Sequence, residues 1–223
     1  SLERRLKDKI SDSMRGATYI ALFHQYYAKD TLKSNQYLAK AIEQVKRVHL
    51  DYLFGEYYYY RGIVREYATD YEECDLYYDS SIHFYKKAID LEAENADFWF
   101  ALADAYYKLN QIDESIDAYE KVLEFNPLDI EAWLDFSTVL YEQGKLLEAS
   151  ETMAEANKNN PESGELYYKM VGYLFALGNY NDALGYLETA LSTDPDKHYI
   201  LFEYLPQLQD NSAIINVINR YIR

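Results

Sequence analysis

The chain has 223 residues, of which 49% are apolar and 27% charged, and its formal net charge is -16. A charge this negative argues against a main role in binding nucleic acid, because contact with the phosphate backbone requires a basic surface. Four prolines and eight glycines are too few for the frequent turns of a β-sandwich or barrel, so the composition favours helices.

The location of the protein is predicted from features that its sequence lacks. No apolar run approaches the roughly 18 residues of a membrane span, and the first ten residues contain no hydrophobic signal segment. Because the first residue is Ser rather than Met, we expect the sequence to begin inside a longer gene product. The single cysteine, Cys74, permits no intrachain disulfide, which is typical of a reducing compartment. We therefore expect a cytoplasmic protein that does not insert into membranes.

The first predicted element is a helix hairpin between Ala17 and Val48. One face of its first helix and one face of its second carry apolar residues at helical spacing. The predicted core residues are Tyr19, Leu22, Phe23 and Tyr26 on the first helix, and Leu32, Leu38, Ala39, Ile42 and Val45 on the second.

Two longer helices are predicted next, near residues 50–67 and 70–92, and they contain a tyrosine-rich stretch with four tyrosines in succession. Gly62 is predicted to allow a close helix contact, and Asp70 followed by Glu73 is predicted to cap the second helix. A buried face is predicted from spacings of three and four residues. Its members are Tyr57, Tyr60, Val64, Tyr67 and Tyr71.

Other tyrosines of this stretch do not fit the same buried face. They are Tyr58, Tyr59, Tyr77 and Tyr78. We therefore expect some aromatic surface to be exposed here, and a binding role for it stays open beside the purely structural one.

Three blocks of 34 residues then follow one another without a gap: Ala96–Asp129, Ile130–Ser163 and Gly164–Lys197. Each block predicts a helix hairpin, near residues 96–125, 130–158 and 164–193. Large, small, turn and proline positions coincide between the blocks. They are Trp99, Trp133 and Tyr167; Ser115, Ala149 and Ala183; Asn110, Gly144 and Gly178; and Pro127, Pro161 and Pro195.

The period and the pattern of these blocks resemble the tetratricopeptide repeat (TPR) family. The family signature W-x2-L-G-x2-Y, A-x3-F, P corresponds here to Trp99, Leu102, Ala103, Tyr106, Ser115, Tyr119 and Pro127. The resemblance implies an all-α fold, a right-handed superhelical solenoid of antiparallel helix hairpins. We expect one TPR-like domain over 1–223, with degenerate longer repeats in 1–95, regular repeats in 96–197 and capping helices in 198–223.

The sequence contains no pattern typical of catalysis. The four histidines are isolated, and no metal-ligand spacing or glycine-rich phosphate loop is present. Cys74 has acidic neighbours, which disfavour a reactive thiolate. The chain is therefore predicted to be non-catalytic and to bind no metal or cofactor.

The resemblance further implies that the first helices of the repeats line a concave groove. Positions facing away from the core form three rows across the blocks: an acidic row, a bulky row and an aromatic row. They are Asp97, Glu131 and Glu165; Phe100, Leu134 and Tyr168; and Tyr107, Tyr141 and Phe175, with Asp104, Thr138 and Gly172 between the last two rows. The Lys, Arg and Asn residues by which the family clamps a ligand's terminal carboxylate are absent from these positions, so we expect a basic or aromatic ligand segment.

The leading hypothesis is a protein–protein interaction scaffold or adaptor that holds a peptide segment or partner domain in this groove. The alternative is a structural or assembly subunit that self-associates or docks permanently through the tyrosine-rich N-terminal repeats. A regulatory module fused to an enzyme outside this sequence is a third possibility. The oligomeric state and the identity of the partner stay open at this stage.

Overall fold

The computed structural model of the protein describes residues 2–6, 12–27, 29–48 and 51–222. These residues form α-helices and two short 3₁₀ turns, and they contain no strand. The helices are α1 (Leu2–Arg5), α2 (Asp12–Tyr27), α3 (Thr31–Val48), α4 (Asp51–Tyr67), α5 (Tyr71–Leu91), α6 (Ala96–Lys108), α7 (Ile112–Phe125), α8 (Ile130–Glu142), α9 (Leu146–Asn159), α10 (Gly164–Ala176), α11 (Tyr180–Thr193), α12 (Tyr199–Tyr204) and α13 (Ser212–Tyr221). The 3₁₀ turns are Pro195–Lys197 and Pro206–Leu208.

The chain divides into two compact units, residues 1–118 and 119–223, and the boundary falls within α7. In the N-terminal unit α2 pairs with α3 and α4 pairs with α5, and α6 packs on α5. In the C-terminal unit α8 pairs with α9 and α10 pairs with α11, while α12 packs on α10 and α13 on α11. The predicted all-α repeat of paired helices is therefore confirmed.

The three regular hairpins have the predicted bounds to within one residue at each outer end. Each turn between the paired helices contains the predicted left-handed residue: φ is +55° at Asn110, +74° at Gly144 and +77° at Gly178. A left-handed residue at this point ends the first helix and reverses the chain.

Small side chains lie where the paired helices approach each other. Ser115, Ala149 and Ala183 are all fully buried. The Ser115 hydroxyl donates a hydrogen bond to the carbonyl oxygen of Ala103 at 2.9 Å, which satisfies the one polar group at these three positions.

The tyrosine-rich stretch is organised by contacts between rings of α5 and glycines of α4. A Cβ atom at Gly55 would overlap the Tyr85 ring, and one at Gly62 would lie 2.6 Å from the Tyr78 ring. Both rings are buried, and their hydroxyls donate back to carboxylates of α4, Tyr85 to Glu56 at 2.8 Å and Tyr78 to Glu66 at 2.9 Å. Each contact therefore combines close packing with a satisfied hydroxyl group.

Several expected core residues are instead exposed. Tyr67 and Tyr71 are 76% and 64% exposed because they stand at the turn of the α4–α5 hairpin, at the last and first residues of the two helices. On α3, Leu32 is 73% exposed and Ala39 is exposed, whereas Ala41 is buried. The prediction of burial was therefore wrong for Tyr67, Tyr71, Leu32 and Ala39. The side chain of Val45 lies outside the described residues.

Asp70 occupies the predicted position before α5, but its side chain accepts no capping hydrogen bond. Asp70 and Glu73 lie near Arg65 instead, at 3.9 Å and 2.8 Å from its guanidinium nitrogens. An ion pair across the hairpin turn thus takes the place of the predicted capping box.

The remaining tyrosines of the stretch differ in exposure, and Tyr78 is buried although the spacing did not place it on the predicted buried face. Tyr58, Tyr59 and Tyr77 are partly exposed. Tyr58 stacks on Phe84 with ring centroids 5.5 Å apart, and the Tyr77 hydroxyl accepts a hydrogen bond from Arg61 at 2.6 Å. These rings form a partly exposed aromatic surface on the α4–α5 hairpin.

The C-terminal segment contains the two short helices α12 and α13. The Asn211 side chain caps α13 by accepting from the backbone N–H groups of Ala213 and Ile214. The apolar face of α13 is buried: Ile214, Val217 and Ile218. This helix covers α11, as expected of an element that closes a repeat array. In the described part of the chain, no helix has the length and apolar character needed to cross a bilayer.

The glycine contacts predict a large difference between two Gly→Ala changes. Gly62→Ala should destabilise the protein by about 1–3 kcal/mol, because the new methyl group would overlap the Tyr78 ring, which is buried and held by the hydrogen bond from its hydroxyl to Glu66. Gly185→Ala is the matched control: Gly185 lies in the exposed middle of α11 with nothing within 4 Å, so it should gain about 0.5–1 kcal/mol from helix propensity. Chemical denaturation of both variants measures the difference, and equal stabilities would contradict the proposed ring-on-glycine packing.

Candidate functional site

An open cleft of about 550 Å³ lies on the C-terminal unit between α8, α10 and α12. We call it the acidic cleft because three of its four charged residues are carboxylates. Its lining residues are Ile130, Glu131, Leu134, Asp135 and Thr138 of α8, Glu165 and Lys169 of α10, and Tyr204 of α12.

The start of α8 sets the positions of the residues on this wall. The Asp129 side chain accepts a hydrogen bond from the Ala132 backbone N–H at 3.1 Å and so fixes the first turn. From there Glu131, Leu134 and Thr138 recur at i, i+3 and i+7, which places them on one stripe of the helix. The Thr138 hydroxyl donates to the Leu134 carbonyl at 2.7 Å and is therefore turned toward the backbone.

Lys169 places a cation inside the acidic cleft. Its ammonium nitrogen lies 4.1 Å from the centroid of the Tyr204 ring and 5.6 Å from that of Tyr173. Burial lowers the pKa of Lys169, against the opposite effect of the carboxylates of Asp135, Glu142 and Glu165. The cleft therefore stabilises a partly desolvated ammonium group by aromatic faces and by carboxylates at the same time.

A second cleft of about 500 Å³ follows at the other end of α8 and α10. We call it the apolar cleft, because no charged residue lines it. Its lining residues are Tyr141, Phe175, Ala176, Tyr180, Leu184, Leu205, Gln207, Leu208, Asn211 and Ala213. Tyr141 stacks on Tyr173 and Phe175 contacts Tyr180, each pair with ring centroids 5.4 Å apart.

The structure distributes the predicted groove residues of α8 and α10 between these two clefts. Glu131, Leu134, Thr138 and Glu165 line the acidic cleft, and Tyr141 and Phe175 line the apolar cleft.

Tyr168 does not belong to this surface. Its side chain is fully buried, and its hydroxyl donates to the carbonyl oxygen of Asp194 at 2.9 Å. It was placed in the groove because only the spacing within α10 was considered, whereas the chain after α11 returns to cover it.

Sequence reasoning missed Lys169 and Tyr204 as partners in the acidic cleft. Lys169 follows Glu165 by one helical turn and precedes Tyr173 by one turn, so its position on that face was readable from the spacing. Tyr204 comes from α12, outside the repeats, and no pattern in the sequence links it to α10.

The remaining predicted groove residues lie on α6 in the N-terminal unit. Asp97 and Tyr107 are exposed, and Phe100 and Asp104 are partly exposed. Next to them Phe98 stacks on Tyr52 with ring centroids 4.8 Å apart. This surface is thus also acidic and aromatic in character.

Glu56, on α4 of the same unit, is partly buried. Burial raises its pKa to about 7, and the charge of Asp104 acts in the same direction, against hydrogen bonds from Tyr85 and Tyr52 that lower it. His24 shows the opposite shift: its ring lies 3.5 Å from the Tyr60 ring centroid, and burial lowers its pKa to about 4. In both groups desolvation shifts the pKa in the direction that favours the uncharged form.

The described residues offer no cluster of His, Cys, Asp and Glu side chains able to hold a metal ion. Cys74 is buried, and burial together with the Glu66 charge raises the pKa of its thiol. Such a thiol is a poor nucleophile near neutral pH.

Two models of the tetratricopeptide repeat family match the sequence, one at residues 78–137 and one at 134–198, so that together they cover more than half of the chain. A search among curated proteins finds none that matches.

Three solved structures illustrate the similarity of fold. Yeast Tom70 has a TM-score of 0.61 and 17% identity, with 99% of this chain and 46% of that chain covered. TTC0263, described as a thermophilic TPR protein in Thermus thermophilus, has a TM-score of 0.56 and 15% identity, with 86% and 98% covered. MamA has a TM-score of 0.54 and 16% identity, with 84% and 96% covered. At these identities the structures show a shared fold and nothing more.

Glu56 generates a prediction about pH. Between the ordinary carboxyl pKa of 4.5 and its own value of about 7, the folded chain holds a proton that the unfolded chain has lost, so this group's contribution to stability falls as pH rises through that range. Glu56→Gln imitates the protonated form and still accepts from Tyr85. The variant should match the wild type at pH 5 and exceed it by about 1–3 kcal/mol at pH 8.5.

Denaturant unfolding at the two pH values measures this difference. Glu72→Gln, at an exposed position of α5, is the control for loss of one negative charge. Because His24 shifts the other way, only the difference between variant and wild type at each pH isolates Glu56. A difference that is the same at both pH values would show that Glu56 does not titrate in this range.

Proposed function

Because the chain belongs to the tetratricopeptide repeat family, whose repeats generally serve as protein–protein interaction modules, we propose that it is a non-catalytic scaffold or adaptor that binds a peptide segment or partner domain. The acidic cleft is the proposed centre of the binding surface, and the adjoining aromatic residues extend it. The partner segment is basic or aromatic in character.

The observation that carries this proposal is the environment of Lys169. Its ammonium group lies over Tyr204 at 4.1 Å in a cleft whose other charged residues, Glu131, Asp135 and Glu165, are all acidic. The cleft thus already suits one ammonium group of the chain itself. With three carboxylates and one ammonium group it keeps a formal charge of -2, which favours a further cation from a ligand.

The expected interaction energies favour specific and fast binding rather than high affinity. A Lys or Arg side chain over an aromatic ring contributes about 0.5–2 kcal/mol, depending on how far it is desolvated. Carboxylates at a cleft rim chiefly raise the association rate and exclude acidic partners. The proposal therefore describes a salt-sensitive interaction.

Two further features of the proposal follow from the composition. A net charge of -16 disfavours nucleic acid as the partner. A single, buried cysteine is compatible with a reducing compartment, and we propose the cytoplasm.

The test uses peptides selected on the purified chain from a random display library. We expect selected peptides to be rich in Lys, Arg and aromatic residues. Their affinity should fall at least tenfold for the double variant Glu131→Gln/Glu165→Gln, and it should fall as salt is raised from about 0.05 to 0.5 M. The control Glu148→Gln/Glu151→Gln removes two exposed carboxylates of α9, outside both clefts, and should change affinity less than twofold.

A second comparison tests the aromatic residues. The peptide affinities of Tyr107→Ala, Tyr141→Ala and Phe175→Ala are compared, and each variant must unfold at the wild-type temperature. A loss of affinity in Tyr107→Ala would place the ligand on α6, whereas a loss in Tyr141→Ala or Phe175→Ala would place it in the apolar cleft. Binding that ignores salt, the cleft carboxylates and these three rings would place the functional surface elsewhere, and the proposal would fail.

The alternative is a structural subunit that self-associates or docks through the tyrosine-rich hairpin. It is favoured by one observation: large side chains stand exposed at the turn end of α4 and α5, with Tyr71 64% and Leu76 63% exposed. Sedimentation over a concentration series distinguishes the two functions. A mass that rises with concentration, and falls back in Tyr71→Ser/Leu76→Ser, would support the alternative, whereas a monomer throughout would reject self-association.

A further inference from the structure

The two clefts of the C-terminal unit share one wall. Thr138 lines the acidic cleft and Tyr141 lines the apolar cleft, and the two residues are one turn apart on α8. On α10, Lys169 lines the first cleft and Phe175 the second. Tyr204 and Leu205 continue the pattern, one in each cleft. A ligand that follows α8 therefore meets both clefts in sequence.

The chemistry of the clefts differs sharply. The acidic cleft has a formal charge of -2 from its four charged residues, whereas the lining of the apolar cleft contains aromatic, aliphatic and amide side chains without any charge. A basic side chain would lose its hydration in the apolar cleft without a counter-charge, and a large apolar side chain gains most there from burial. Charge complementarity thus assigns one kind of side chain to each cleft.

The helix geometry gives the distance between the two positions. Glu131 and Tyr141 are ten residues apart on α8, which at about 1.5 Å per residue is about 15 Å, and the middle of the acidic wall lies about 10 Å from Tyr141. An extended chain rises about 3.3 Å per residue, so a separation of about 10–15 Å corresponds to three to five residues. Because side chains of an extended chain alternate in direction, only an even spacing points both toward α8, and that spacing is four.

We propose that the two clefts together bind an extended segment of a partner protein that carries a Lys or Arg four residues from a large apolar residue. The basic side chain enters the acidic cleft beside Glu131 and Glu165, and the apolar side chain enters the apolar cleft between Tyr141 and Phe175. The side-chain amide of exposed Gln207 lies along the second cleft, where it can pair with the backbone of an extended ligand, whose polar groups have no partners of their own. This inference rests on the proposed function and specifies the ligand that it requires.

The experiment starts from twelve-residue peptides selected on the chain by display. The tightest binders are resynthesised with a fluorescent label, and their Kd is measured by anisotropy. We expect a Lys or Arg and a Phe, Leu, Met or Trp at i and i+4, in one consistent order. One Gly inserted between these two residues should weaken binding at least tenfold, because the apolar side chain then points away from α8. One Gly inserted outside them should change Kd less than twofold.

A double variant of the chain connects the apolar residue to its cleft. Replacing the apolar residue of the peptide by Ala should weaken binding to the wild type about tenfold, but less than twofold to Tyr141→Ala/Phe175→Ala, because the cleft is then already lost. The peptide insertions alone decide the question if this variant fails to fold, since they require no change in the protein.

The outcomes separate the inference from the function on which it rests. Peptides whose affinity depends on Glu131 and Glu165 but tolerates the internal insertion would overturn the two-cleft inference and leave the binding function intact. A preferred spacing of seven or eight would indicate a helical ligand and would also overturn it. Peptides that bind independently of salt, of both carboxylates and of the three aromatic rings would reject the proposed function itself.

Discussion

Close approach of paired helices is the constraint on which the rest of this structure depends. Two helices come together where a small residue of one faces the other, at Ser115, Ala149 and Ala183 in the regular repeats and at Gly55 and Gly62 in the tyrosine-rich hairpin. The longer hairpin uses the smallest residue and the largest partner, because a glycine leaves room for a whole tyrosine ring. The tyrosine-rich hairpin therefore packs in the same way as the regular hairpins, except that the residue of one helix is smaller and the side chain of the other helix is larger.

Packing of the C-terminal segment on α10 shapes the candidate binding surface. Gly172 lies in the middle of α10, and a Cβ atom there would be 3.7 Å from the Leu205 side chain. That distance is ordinary van der Waals contact, so the Leu205 side chain packs directly over this part of α10. Because α12 stays close, Tyr204 reaches Lys169 on one side while Leu205 lines the apolar cleft on the other. The C-terminal segment thus lines both clefts together with α8 and α10.

Each unit has a partly buried ionisable group, and the surroundings of these two groups differ. In the C-terminal unit Lys169 lies over an aromatic ring and faces carboxylates, an arrangement that suits a cation at the cost of partial desolvation. In the N-terminal unit Glu56 is surrounded by tyrosines, and burial raises its pKa to about 7. Both residues lie on the first helices of their hairpins, and both have aromatic neighbours. Each unit thus holds a partly buried ionisable group on the first helix of a hairpin, a lysine in one unit and a glutamate in the other.

The sequence by itself determined the repeat period, the helix bounds of the regular hairpins and the left-handed turn residues, because these follow from local spacing and backbone preference. It also placed Glu131, Leu134, Thr138 and Glu165 on one surface, since residues on one stripe of a helix share a face. Only the tertiary structure decided that Tyr168 is buried under the chain after α11, and that Tyr204 comes to Lys169. These contacts join segments outside the 34-residue period, and helical spacing carries no information about where a later segment packs.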